Sequence, residues 1–165
     1  GLSAKRVDDL NNSIPLSNDT NSGKIIELIE HELQDLKFYK TNLVKCLPLD
    51  KNNKLRYPTP KEMQDCINNL LIEIDILNPK IILVLGKLTF NFIEKYFIEN
   101  NIDKGKLIYI EHPSYIYVYK RKYIDDYINK VVDICKKTIM SKRSLVALSY
   151  HWTRDIKRYC IRYNK

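Results

Sequence analysis

The chain has 165 residues, 44% of them hydrophobic, which suits one ordinary domain with a single core. It has no apolar run long enough for a membrane-spanning helix, and Gly1–Leu10 is too mixed and charged for a secretion signal, so a soluble, cytoplasmic protein is expected. The net charge of +8 is concentrated: residues 120–165 hold 13 Lys/Arg against 4 Asp/Glu, whereas residues 1–119 hold 15 against 16. Such a basic stretch either meets a phosphate backbone or forms a solvated helix face. Seven tyrosines, among them Tyr115, Tyr117 and Tyr123, lie in or just before this stretch near basic residues, an arrangement that suits base stacking as well as ordinary packing.

Residues 1–23 are polar and read as a loop. Ser22-Gly23 is read as the entry to a helix, with Ser22 as its N-cap. Ile25, Ile26, Leu28, Ile29, Leu33 and Leu36 give that helix an apolar stripe. Lys40–Leu47 reads as a short strand, followed by a turn-rich insert. Thr59-Pro60-Lys61-Glu62 has the form of a capped helix start, and the helix should run to about Leu77, before Asn78-Pro79. Ile81–Leu85 is the β-branched run of a parallel strand buried on both faces, and Gly86 ends it. A helix from about Leu88 to Ile98 and a strand over Leu107–Ile110 follow. His112-Pro113-Ser114 reads as a loop, and Lys120–Thr138 and Leu145–Tyr163 read as basic helices. Strands alternating with helices predict an α/β fold, three-layered (α/β/α) around a mostly parallel sheet of about four strands. The expected division is a domain over residues 1–138 and a basic helical extension over 139–165.

Nucleotide-cradling glycine loops and a G-x-S-x-G elbow are absent. His31 and His151 have no metal-ligand spacing and read as structural or exposed. His112 differs, because a histidine stiffened by Pro113 just after a strand faces the mouth of the sheet, where such folds bind ligands. Its imidazole there can stabilise charge on a leaving group. Taken alone, the tripeptide fits a satisfied loop histidine better than a catalytic one. Cys46, Cys66, Cys135 and Cys160 form no C-x-x-C pair and read as reduced thiols.

Five segments occur in a telling order: Thr41-Asn42-Leu43-Val44-Lys45-Cys46, Pro58-Thr59-Pro60-Lys61-Glu62, Cys66, Asn78-Pro79-Lys80-Ile81-Ile82 with Gly86, and His112-Pro113-Ser114-Tyr115. Together, over roughly residues 13–134, they resemble the uracil-DNA glycosylase superfamily, most closely its family-4-like bacterial and archaeal branch. Ile14-Pro15-Leu16 with Ser22-Gly23 is similar to that family's base-stacking segment and helix entry. The resemblance implies a monomeric enzyme that hydrolyses the N-glycosidic bond of uracil or another modified base flipped out of DNA. Asn42 matches the residue that reads the base edge, Leu16 the one that covers its face, and His112 the one that bonds the base oxygen as the bond breaks. Tyr115, Ile116 and Tyr117 match the loop that enters the duplex. Ser22, Gly23, Ser114, Lys120, Arg121 and Lys122 are the implied DNA contacts.

The chain departs from the family pattern at three points. Leu16 stands where the family has an aromatic, which leaves the identity of the base open. The water-orienting residue belongs to a first motif ending in Pro-Gly, and Gly1-Leu2 corresponds at most to its tail; Asp8, Asp9 and Asp19 do not fit that role. Cys46 and Cys66 match two ligands of an iron–sulfur cluster, but the other two are not found and Cys135 and Cys160 do not match, so packed thiols are expected and the chemistry requires no cofactor. Two further readings stand beside the enzyme: a catalytically incomplete DNA-binding module on the same scaffold, and a small-molecule-binding domain, which the basic C-terminal third argues against.

Overall fold

Threonines open the first two helices. In a computed structural model that describes residues 16–103 and 105–140, Thr20 lies in extended backbone and accepts a hydrogen bond from the Gly23 amide at 3.0 Å, and α1 (Asn21–Glu32) follows. Thr59 caps α2 (Pro60–Leu77). Its hydroxyl accepts from the Glu62 amide at 3.2 Å, the Glu62 carboxylate accepts from the Thr59 amide at 2.7 Å, and Pro60 takes the first helical position. Arg56 grips the same carboxylate with two N–H donors, at 2.7 and 2.8 Å, and these bonds with the cap hold it down to about 2. Asn78, at a left-handed φ of 43°, ends α2 one residue before Pro79.

A β–α–β unit follows: β1 (Ile81–Leu85), α3 (Lys87–Glu99) and β2 (Lys106–Ile110). The strands pair in parallel, Ile81 beside Lys106 through to Leu85 beside Ile110. Alternate strand residues serve two cores. Leu83, Leu85, Ile108 and Ile110 pack with α1 and with α4 (Pro113–Tyr119) and α5 (Ile124–Met140); Ile82, Val84 and Leu107 pack with α2, α3 and Leu43. A 3₁₀ turn, Arg121–Tyr123, joins α4 to α5. No helix among the described residues is long and apolar enough to cross a membrane.

Several expectations are corrected. Thr20, two residues upstream of Ser22, is the cap of α1, and Ser22 lies within the helix. Leu28 of the expected apolar stripe is 51% exposed. Lys40–Leu47 forms no strand among the described residues; the nearest pairing is an isolated bridge between Leu49 and Leu55. A strand exists only where a neighbour takes its backbone hydrogen bonds, and the segment shares a cleft with β1 without pairing to it. For the same reason β1, expected to be buried on both faces, has only Val84 buried, with one edge on β2 and residues Ile81–Leu85 lining the cleft. His112-Pro113-Ser114 is a helix start rather than a loop, and the expected helix over Leu145–Tyr163 lies outside the described residues.

Candidate active site

The end of β2 delivers His112 to the mouth of the sheet. Two residues beyond Ile110, His112 takes extended backbone (φ −66°, ψ 132°) and becomes the N-cap of α4, with Pro113 buried at the first helical position. Its Nδ1 accepts from the Ser114 amide at 3.1 Å and lies 2.7 Å from Ser114 Oγ. A ring nitrogen that accepts from a backbone N–H carries no proton, so the neutral ring bears its hydrogen on Nε2. That nitrogen is buried and has no hydrogen-bond partner among the described residues. Burial pulls the imidazole down to about 4, which makes the neutral ring the state at neutral pH. The arrangement is a neutral N–H donor held in place by its own helix cap.

Two neighbours fix this geometry. Gly86, ending β1 at φ 93° and ψ 142°, occupies backbone that side-chain-bearing residues rarely enter, and donates its amide to Ile110 O at 2.9 Å. A Cβ built on Gly86 would stand 3.8 Å from His112 Cβ, so the two strand ends are adjacent. Tyr127, buried in α5, donates its hydroxyl to Glu111 O at 2.7 Å and ties down the residue before His112. Burial, then the charge of Glu111, holds the Tyr127 phenol well above its ordinary value, so it stays protonated and donating.

His112 lines a cleft of about 450 Å³ together with Asn42, Leu16, Ser22, Ser114 and Tyr117. The structure thus gathers six of the residues singled out in the sequence around one opening, although they come from four separate stretches of chain. Leu16 enters at a left-handed φ of 56° and packs against the edge of the core. Gly23 is buried: a Cβ there would meet Ser17 O at 1.9 Å, so the missing side chain lets the Leu16–Ser17 turn lie on α1. Two carboxylates line the cleft, and each is paired with a lysine: Glu30 with Lys40 at 3.1 Å and Glu73 with Lys45 at 2.7 Å.

The segment after His112 behaves differently from the expected duplex-entering loop. Tyr115, Ile116 and Tyr117 are helical, and Ile116, 2% exposed, belongs to the core, so it is no DNA contact in this conformation. Tyr115 and Tyr119 face outward with their rings 5.1 Å apart and tilted by 42°, and Tyr117 lies under the Arg121 guanidinium at 4.9 Å. Lys120 pairs with Glu111 at 2.8 Å, so part of its charge is already neutralised, while Arg121 and Lys122 have exposed side chains. Sequence reasoning missed Tyr127, Glu111, Tyr39 and Glu73; only the run of buried-helix spacing around Tyr127 signalled any of them.

Cys46 is exposed, Cys66 half-buried, and Cys135 a core thiol that burial pushes up to about 11. Among the described residues no three His, Cys, Asp or Glu side chains converge as metal ligands. They do not by themselves fit a four-thiolate cluster.

Comparison with known proteins identifies the family. The family model for the uracil-DNA glycosylase superfamily matches residues 3–136. A type-4 uracil-DNA glycosylase of Archaeoglobus fulgidus is 29% identical over 118 residues, 60% of this chain and 57% of that protein. One from Thermotoga maritima is 40% identical over 88 residues, 47% of this chain and 44% of that protein. A DNA polymerase of Bacillus phage SP01 is 29% identical over 134 residues, 76% of this chain but 13% of that protein. The chain spans about half the length of the type-4 relatives it matches. No solved structure matches significantly. With the family model covering most of its length, the chain belongs to the uracil-DNA glycosylase superfamily.

Proposed function

We propose that the protein is a monofunctional DNA glycosylase that hydrolyses the N-glycosidic bond of uracil or another modified base flipped into the cleft, in base-excision repair or in defence against modified DNA. The observation that carries the reading is the buried Nε2–H of a neutral His112 in a cleft shared with Asn42 and Leu16. As the glycosidic bond breaks, negative charge grows on the departing base. A preorganised neutral donor stabilises that charge without giving up a proton. The Asn42 amide offers both a donor and an acceptor to a base edge, and Leu16 covers a base face without stacking on it. Ser22 and Ser114, which line the cleft, and the exposed side chains of Tyr115, Arg121 and Lys122 would take the DNA backbone, with Gly23 shaping the Leu16–Ser17 turn.

The fuller architecture belongs to the same proposal: a three-layer domain over residues 1–138 around a sheet of about four strands, with a basic extension over 139–165, acting as a soluble cytoplasmic monomer. The alternation of strand residues between two cores supports the layering.

A second reading has one observation in its favour. Both carboxylates lining the cleft are ion-paired, so neither is available among the described residues to orient water. On that reading the protein binds DNA on the same scaffold without excising a base. Oligonucleotides carrying uracil, hypoxanthine, xanthine and hydroxymethylated or glucosylated cytosine, incubated with the protein and then treated with alkali, separate the two. Strand cleavage at one modified position supports the glycosylase; binding with no cleavage on any of them leaves the binding module.

A further inference from the structure

Asn42 sits on a segment that no strand ladder among the described residues holds. Among the described residues, 37–44 belong to neither helix nor strand, so no regular ladder of backbone hydrogen bonds there fixes a base-reading amide within the cleft. Side chains replace them. Lys45 Nζ donates to both oxygens of Glu73 in α2, at 2.7 and 2.8 Å, and also to Thr41 Oγ1. The Tyr39 hydroxyl bonds the same carboxylate; burial, and then Glu73 itself, push that phenol up to about 12, so it remains a donor. Residues on both sides of Asn42 therefore converge on one carboxylate, which is 13% exposed, as is Lys45.

We propose that Glu73 is a positioning residue that sets Asn42 in the cleft through Tyr39, Thr41 and Lys45. It touches no base in this role, and its charge is essential: a neutral amide of the same shape cannot hold a half-buried ammonium with two acceptor oxygens. The claim that this affects base recognition rests on the glycosylase reading; the claim that Glu73 orders the segment does not.

The test uses the full chain with Glu73→Gln, and Tyr39→Phe as a milder variant that keeps the ion pair. Tryptic cleavage within residues 37–47 should quicken at least tenfold in Glu73→Gln and less in Tyr39→Phe, with cleavage in β2 and α5 unchanged. Unchanged cleavage in the segment, or equal acceleration throughout the chain, would overturn the proposal. A double-mutant cycle on excision supplies a readout that general loosening would not move. Glu73→Gln should raise KM for modified DNA about tenfold while kcat changes less than threefold, and should add nothing in an Asn42→Ala background. Additive losses would show that Glu73 acts elsewhere. The exchange of Glu73 and Lys45 for one another should recover part of the effect. Absence of excision by the wild-type protein would count against the function proposed above, and the cleavage comparison would still decide the role of Glu73.

Discussion

His112 combines three properties that pull on one another. Its helix-cap role removes the proton from Nδ1, burial keeps the ring neutral, and the two together leave a donor at Nε2. A buried donor without a partner costs about 1–3 kcal/mol, a cost that a ligand acceptor would relieve. The pH consequence follows from the direction of the shift. The folded protein binds the imidazole proton less readily than an unfolded chain with the ordinary value of 6.5, so this group's contribution to stability is intact above that value and is lost as pH falls toward about 4. Excision should therefore show no loss from His112 between pH 8 and 6, with any acid limb attributable to it near 4. A profile falling with a midpoint near 6.5 would contradict the neutral-donor assignment. Gly86→Ala tests a second residue: its backbone conformation, rather than crowding, opposes a side chain, so a loss of about 1–3 kcal/mol is expected in denaturant melts.

At the scale of elements, the two proline-led helix starts show what local sequence reveals. Thr59-Pro60 and His112-Pro113 have the same form, an acceptor side chain followed by proline at the first helical position. The first is legible because Thr is a familiar cap and Glu62 completes the box. The second passes for a loop because His is a rarer cap, and reading it as a loop misassigns Ile116 to the DNA face. Ile116→Ala should accordingly cost about 2–5 kcal/mol of stability, as a truncated core residue does; a change under 0.5 kcal/mol would return Ile116 to the surface. Gly23→Ala, which would place a Cβ 1.9 Å from Ser17 O, should displace the Leu16 turn, and a protease-protection assay of that turn would register it.

At the scale of the molecule, β1 and β2 were readable because a β-branched run bounded by Pro79 and Gly86 is a local signal. The expected strand at Lys40–Leu47 was not, since pairing depends on a distant neighbour that the segment itself does not encode. The same limit hides Glu73, which lies 31 positions from Asn42 in sequence yet anchors the chain around it. The order of the motif segments, by contrast, carries the family. The basic surface makes its own prediction: Arg121→Ala and Lys122→Ala should each reduce the slope of log affinity for DNA against log salt by about 1. Unchanged slopes would remove those residues from the DNA face.

The most direct measurement is single-turnover excision by the wild-type protein and His112→Ala, on whichever modified oligonucleotide the wild type cleaves. Removing a preorganised donor should slow the chemical step about 10²–10³-fold, or about 2.7–4 kcal/mol, with DNA affinity little changed. An unchanged rate, or no excision of any modified base by the wild-type protein while it still binds DNA, would contradict the account.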